Sequence, residues 1–506
     1  MFAKTFGATT AGIDGILIEV EADVSSGLPG FEIVGLPDAA VKEAKERVRT
    51  AIKNSGIKLP ARKITINLAP ADLKKDSSGL DLPIAVAILT AYGILPATHS
   101  QSAMFTGELS LEGQLRPVHG ILPMAIRCHA KNINEFFLPA GNEQEALLVD
   151  DLKIFPLTKL IDIINHFTGK NKLSIAVKKD LSENTIIYED FSDVQGQFAA
   201  KRALEIAAAG GHNILMCGAP GTGKTMLARR TATILPTLSR QEALEVTKIY
   251  SIAGFLKKGC GLISQRPFRS PHHTISNAGM IGGGSIPKPG EVTLSHNGVL
   301  FLDELPEFGK STLEVLRQPL EDRKISIARA NASYTFPSNF ILIASMNPCP
   351  CGYLGDNLHS CSCTPTEIKR YTKKISGPLL DRIDIHIQVP RVNYTDLVNE
   401  KKTESSASIR KRVEYARQKQ IQRLSSYHLY CNSQMNHALL KEFCCLTPAA
   451  QNMLKMIFER MKLSARSYDR LIKVSQTIAD LADSKVITDQ HVAEAVQFHS
   501  TINNNI

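Results

Sequence analysis

No stretch of the 506-residue chain approaches the ~20 consecutive apolar residues that a membrane-spanning helix needs. The opening residues, MFAKTFGATTAGIDGILIEV, mix small, polar and apolar types and lack the unbroken apolar run of an export signal. Internal repeats and low-complexity tracts are also missing. Ten cysteines without an export signal point to a reducing, cytoplasmic setting, where cysteines serve as free thiols or metal ligands.

What is present is an ordinary folded composition, 43% hydrophobic and 21% charged, in a chain long enough for two or three domains. The net charge of +10 is compatible with a nucleic-acid partner, although many equally basic proteins bind no polyanion. Three regions separate. Residues 1–169 alternate strands, such as Ile64 to Pro70 and the segment at Phe136, with helical stretches at Leu82 to Tyr92 and Pro123 to Lys131. Residues 170–189 are charged and read as a linker. A core follows over 190–395, and residues 396–506 carry long helical patterns rich in Lys, Arg and Gln.

The core carries the chemistry. A strand-like run, Ile214 to Met216, leads into Gly218-Ala219-Pro220-Gly221-Thr222-Gly223-Lys224-Thr225, and a helical run starts at Met226. This is a full Walker A motif in the strand–loop–helix setting it requires. Its glycines let backbone N–H groups close around phosphates at the positive end of the following helix. Lys224 is expected to neutralise the β and γ phosphates of ATP, and Thr225 to ligate Mg²⁺. Val299-Leu-Phe-Leu predicts a strand buried on both faces. At its end Asp303 is suited to holding Mg²⁺ through water, and Glu304 to activating the attacking water. A third strand, Phe340 to Ser345, leads to Asn347, whose amide is suited to orienting that water. Three polar groups on adjacent strand ends predict a hydrolase rather than a mere nucleotide binder.

Together with Gly377-Pro-Leu-Leu-Asp-Arg382-Ile-Asp384, these motifs resemble the AAA+ branch that contains magnesium-chelatase ATPase subunits and MCM helicases. Asp193-Val-Gln-Gly-Gln197, Arg266-Pro-Phe-Arg-Ser-Pro-His-His-Thr274 and Met346-Asn-Pro-Cys-Pro-Cys-Gly352 are similar to the ComM/YifB family of bacterial competence proteins, and the resemblance runs over essentially the whole chain. It implies an α/β fold: an AAA+ P-loop core with a helical C-terminal lid, preceded by a Lon-protease-like α+β domain. It further implies a homo-hexameric DNA motor that drives branch migration as incoming single strands integrate during natural transformation. Carried over to this sequence, Arg382 matches the arginine finger and Arg466 the second sensor arginine, with Arg370 a rival for the finger.

Gly107 to Leu122 and Phe137 to Asn142 resemble the proteolytic domain of Lon proteases. In that register the catalytic lysine is Leu122, and the serine falls near Gly79, with Ser77 and Ser78 beside it. A serine without its base is not activated, so the reading is a Lon-like fold without peptidase activity. Cys349, Cys351, Cys361 and Cys363 form two Cys-x-Cys pairs, consistent with a structural zinc or with four free thiols.

Residues 266–291 are too polar for core and longer than a connector. Arg266, Arg269 and Lys288 in this stretch, and Lys324 and Arg329 on a predicted β-hairpin, are the DNA-contact candidates. His272 and His273 are expected to face opposite sides of an extended strand. Two rival functions remain: a remodeller of another protein, in the manner of chelatase subunits, and an ATP-dependent protease, against which Leu122 counts.

Overall fold

The computed structural model describes residues 1–36, 39–71, 75, 78–179, 189–256, 259, 261–284, 287–329, 332–356, 358–392 and 403–499. Among these, no helix is long and apolar enough to cross a membrane. The chain forms two compact units: Met1–Asn184 with Ala243–Ile263, and Thr185–Glu242 with Ser264–Ile506.

The first unit is built on a mixed sheet. Its strands are β1 (Phe2–Ala11), β2 (Asp14–Ser25), β3 (Gly30–Val34), β4 (Lys63–Ala69), β5 (Ala103–Phe105), β6 (Glu135–Pro139) and β7 (Lys153–Leu157). They lie in the order β3-β4-β2-β1-β5-β6-β7. The β1–β2 and β2–β4 pairs are antiparallel, and the others parallel. Alternation along β2 sends Ile18, Val20, Ala22 and Val24 to one face, where they meet α1 (Ala39–Asn54) and α2 (Asp81–Ala91). In α1 the buried positions Val41, Ala44, Val48, Ala51 and Ile52 recur at helical spacing. Every residue of α2 is buried. Its one charge, Asp81, accepts two bonds from Arg47, at 2.9 and 3.0 Å, and one from the Leu109 N–H at 3.1 Å. Fork-to-carboxylate pairing of this kind offsets the cost of burying the carboxylate. The opposite face is covered by α3 (Ile121–Ala130), and α4 (Leu160–Phe167) packs its Leu160 and Ile163 into the first core.

Residues 170–179 form no regular element, and Ala176 N–H donates to the Ile154 carbonyl of β7 at 2.8 Å. The segment 243–263 is held in this unit by specific bonds. Lys248 meets Asp14 at 2.8 Å, the Gly120 N–H donates to the Ser251 carbonyl at 3.2 Å, and the Ser251 hydroxyl bonds to Glu145.

The second unit has a parallel sheet of β8 (Ile214–Cys217), β9 (Phe268–Arg269), β10 (Val299–Leu302), β13 (Ile341–Met346) and β14 (Ile385–Gln388). The hairpin strands β11 (Lys324–Arg329) and β12 (Ala332–Pro337) fall between β10 and β13 in sequence. The sheet order is β9-β10-β13-β8-β14. Four residues of β10 and six of β13 are all buried, as their continuous apolar runs require of a parallel sheet covered on both faces. Helices α5 (Phe198–Gly210), α6 (Lys224–Ile234), α7 (Arg317–Asp322), α8 (Pro365–Thr372) and α9 (Gly377–Leu380) belong to the same unit. So do the C-terminal helices α10 (Ser406–Leu424), α11 (Pro448–Met461), α12 (Ala465–Leu481) and α13 (Asp489–Gln497), and one hydrophobic core joins them to the sheet.

Candidate nucleotide site

Strand β8 ends at Cys217, and α6 begins at Lys224, so residues 218–223 form a loop over the carboxyl end of the sheet. Gly218 is confined, because a Cβ there would lie 2.4 Å from the Val389 carbonyl oxygen. Gly221 and Gly223 take φ of 77° and 85°, values that glycine adopts without strain. The Lys224 ammonium bonds to the loop's own carbonyls of Gly218 and Ala219, at 2.7 and 3.0 Å, and to Asn347 Oδ1 at 3.3 Å. Burial lowers its pKa, and the charges of Cys217, Asp303 and Glu304 oppose that shift. The ammonium therefore sits among neutral acceptors in a half-desolvated position, where an anion would be a far stronger partner.

Asp303 follows β10. Its Oδ2 accepts from the Thr225 hydroxyl at 2.8 Å, and its Oδ1 from the Ser345 hydroxyl. The adjacent Glu304 is in the left-handed region, φ 54°, a conformation costing on the order of 1–3 kcal/mol for a non-glycine residue. Its N–H donates to Asp303 Oδ1 at 3.1 Å and Ser345 Oγ at 3.3 Å, and its side chain is exposed. Lys224, Thr225, Asp303 and Asn347 are thus brought together by bonds, with Glu304 beside them. Ser345 is the member that sequence reading passed over. It precedes Asn347 by two residues, so strand alternation was the available signal.

After Asn347 the chain enters the cysteine loop. The sulfurs of Cys349, Cys351, Cys361 and Cys363 all lie within 4.8 Å of one another, with Cys349–Cys351 at 3.3 Å and Cys361 at 3.6 Å from each. All four are free thiols. Tetrahedral zinc at ~2.3 Å from each sulfur requires sulfurs roughly 3.8 Å apart, so the donor set fits that ion. The same loop rests on the nucleotide loop: Gly352, φ 90°, leaves room where a Cβ would lie 2.7 Å from Pro220.

Arg382 and Arg466 lie elsewhere. Both guanidinium groups meet Glu321, which bonds Arg382 directly and stands 3.5 Å from Arg466. The Arg382 carbonyl accepts from Asn213 Nδ2 at 2.8 Å, and Asn213 Oδ1 accepts from the Leu342 N–H at 2.9 Å. Asp384 bonds His212 at 3.2 Å, and Arg470 of α12 donates to the Ile383 carbonyl at 2.9 Å. Asn213, Asp384 and Phe340 stand immediately before β8, β14 and β13. In a parallel sheet this is the amino edge, opposite the edge that carries Lys224 and Asp303. Arg370 is exposed on α8.

The positively charged candidates divide. Arg266 donates to the carbonyls of Pro236 and Asn297, at 2.5 and 2.7 Å, and pairs with Glu242 at 3.1 Å. Arg269 is bidentate to Glu291, at 2.7 and 2.6 Å. Both DNA-contact candidates are thus engaged within the fold. Lys288 and Lys324 are exposed. The hairpin carrying Lys324 forms as expected, while the Arg329 side chain lies outside the described residues. His272 and His273 do not face apart: neither lies in a strand, and their rings, tilted by 34°, have centroids 4.0 Å apart.

In the first unit Leu122 is fully buried, and its N–H donates to Glu145 Oε1 at 2.7 Å. Gly79 is buried within a short 3₁₀ turn opened by Ser78, and Ser77 lies outside the described residues.

The family model "Magnesium chelatase, subunit ChlI" matches residues 190–397, "Subunit ChlI of Mg-chelatase" matches 20–142, and "Magnesium chelatase, subunit ChlI C-terminal" matches 403–499. The competence protein ComM of Haemophilus influenzae is 42% identical over 99% of this chain and 98% of its own length. YifB of Escherichia coli is 43% identical over 97% of this chain and 95% of its own. Lon protease 2 of Bacillus subtilis is 31% identical over 31% of this chain and 29% of its own. A P-loop sheet, a helical C-terminal region and full-length likeness to two such relatives lead to one conclusion: the chain belongs to the ComM/YifB family of magnesium-chelatase-like AAA+ proteins.

Proposed function

We propose that this protein is a cytoplasmic ATP-driven DNA motor, a hexameric branch-migration helicase that promotes integration of incoming DNA in natural transformation. The observation that carries the proposal is the separation of charges across one sheet. Lys224, Thr225, Asp303 and Asn347 occupy its carboxyl edge, and Arg382 with Arg466 its amino edge. In this reading a subunit cannot bring its own arginines to its own nucleotide, so the active ATPase needs a neighbour, and a closed ring supplies one to every site. The likeness to a competence protein supports DNA as the partner. The exposed Lys288 and Lys324 supply phosphate contacts.

Within each site, Lys224 binds the β and γ phosphates, Thr225 and Asp303 hold Mg²⁺, Glu304 takes a proton from the attacking water and Asn347 orients it. Mg²⁺ held there would supply neutralisation of charge on the phosphate oxygens. Arg382 stabilises the charge gained in the transition state, and Arg466 assists from the same edge. The cysteine loop holds a structural zinc and braces the nucleotide loop through Gly352 and Pro220. The division of labour along the chain is a non-peptidase Lon-like domain over 1–169, a linker over 170–189, the ATPase core over 190–395 and a lid over 396–506. The segment 243–263 is lent to the first unit.

The test is the ATP turnover of the purified chain with single-stranded or branched DNA and with an unfolded protein. Stimulation by DNA alone is expected. Stimulation by protein alone overturns the proposal in favour of a chelatase-type remodeller.

A further inference from the structure

A cavity of about 700 Å³ opens at the amino edge of the second unit's sheet, between the strand starts and the helices α10 and α12. Five carboxylates line it, and each is already engaged. Glu242 is paired with Arg266, Glu321 with Arg382 and Arg466, and Asp381 with Arg470. Asp384 is bonded to His212 and Asp469 to His437. Among the described residues, three further cations in the lining, Arg323, Arg417 and Lys473, have no carboxylate partner. Their partners are neutral. Arg417 donates to the Ala208 and Ala209 carbonyls at the C-terminal end of α5, at 2.8 and 3.0 Å. Lys473 donates to the Ser433 carbonyl at 3.2 Å, and Arg323 reaches the Ser433 hydroxyl only at 3.5 Å.

These cations repel one another. Arg417 acts against Arg323, and Arg323 against Lys473, on top of burial that already lowers the pKa of both Arg323 and Lys473. Cys431 and Asp384 offset part of this at both, and Asp469 at Lys473. Arg323 is in addition held in the left-handed backbone region, φ 55°, at the end of α7. A fold that strains its backbone to set an underpaired guanidinium beside two other cations, in a roomy half-buried cavity, has built a receptor for negative charge. We propose that this cavity is an anion site separate from the Walker loop, which takes the phosphates of a small polyphosphate such as a nucleoside diphosphate, with Arg323 and Lys473 as its principal ligands.

The cavity shares its edge with Arg382 and Arg466, which the DNA-motor reading assigns to a neighbour's nucleotide, and the test keeps the two apart. The full chain carrying Lys224→Ala, whose Walker loop is expected to hold phosphate only weakly, is titrated with pyrophosphate and with ADP in a calorimeter. Both are expected to bind. Arg323→Gln and Lys473→Gln, each added to that background, are expected to weaken binding at least roughly tenfold, as loss of a charge-assisted phosphate bond does. The melting temperature without ligand should stay level or rise, because an underpaired half-buried cation has been removed. A merely structural role for these side chains would lower it. Failure of the Lys224→Ala protein to bind pyrophosphate overturns the proposal. So does pyrophosphate affinity that neither substitution moves. So does ADP binding without pyrophosphate binding, which is residual occupancy of the Walker loop.

Discussion

Glu321 is bonded to Arg382, and the same carboxylate stands 3.5 Å from Arg466. Arg382 holds the Glu321 carboxyl below the usual carboxylate range, with Arg466 and Arg317 adding to that effect against a smaller penalty from burial. A guanidinium so engaged must exchange a carboxylate for phosphate before it can stabilise a transition state. Glu321→Gln leaves an acceptor but removes the competing charge. We expect it to raise unstimulated ATP turnover severalfold, read in a steady-state phosphate-release assay. A slower enzyme would mean that Glu321 orients Arg382 rather than restraining it.

Arg382→Ala should retain nucleotide binding and lose turnover on the order of 10³-fold, the usual contribution of an arginine finger. Glu304→Gln subunits, also inactive alone, should restore activity when mixed with it, because an intact Glu304 then meets an intact Arg382 across an interface. Mixed assemblies that form but stay inactive would assign Arg382 to its own subunit and shift attention to the exposed Arg370.

Glu304→Gln should bind ATP nearly as well as the parent and fail to hydrolyse it, since the amide cannot take a proton. Lys224→Ala should instead weaken binding itself, as its ammonium stands ready among neutral carbonyls for a phosphate. Equilibrium binding of a fluorescent ATP analogue, beside turnover, separates the two. Near-native turnover by the Gln variant would place the base elsewhere.

Metal analysis of protein prepared without chelator should find about one zinc per chain at the four clustered sulfurs. Stripping it should lower the melting temperature and loosen ATP binding, because the loop leans on Pro220 through Gly352. Protein without zinc whose nucleotide affinity matches the parent would remove the link.

His386 gives a pH signature. Burial pushes its imidazole down to about 4, helped by the nearby charges of His499 and Arg470. The folded value lies below the unfolded value of about 6.5, so the native state keeps this ring neutral where the unfolded chain binds a proton. Its stabilisation is complete above about pH 6.5 and drains away as pH falls towards 4, a loss of roughly 3 kcal/mol at about 1.4 kcal/mol per pH unit. His386→Gln should flatten the fall in melting temperature across that window. An unchanged slope would assign it to other groups.

Features whose meaning is local were legible in the sequence. The nucleotide loop and the buried runs of β10 and β13 each depend on a few consecutive residues. The β11–β12 hairpin and the apolar α2 were legible for the same reason. What escaped depends on contacts far apart in the chain. Glu321 matters because Arg382, 61 residues on, comes to it. Arg266 looked like an outward cation because nothing nearby in sequence announces Glu242 and two carbonyls converging on it. Helix α1 was passed over because its buried Val41, Ala44, Val48, Ala51 and Ile52 are interspersed with charged residues, so its apolar stripe is faint. The departure of residues 243–263 to the other unit has no local signature at all.

Strand β8 is only four residues long, and chemistry waits at both of its ends. Its carboxyl end runs into the nucleotide loop; at its amino end the Asn213 side chain grips the carbonyl of Arg382 and, through Leu342, the start of β13. At ~3.3 Å per residue it is a strut of about 13 Å with no slack, since a stretched backbone transmits push and pull along its axis. In the ring we propose, such struts would alternate with subunit interfaces: loop, strut, arginine, next loop. A small axial shift on phosphate release in one subunit would then be delivered to the arginine that serves its neighbour. Firing order around the ring would become a matter of mechanical gearing, and Asn213→Ala, which frees the Arg382 carbonyl, is the way to strip the gear.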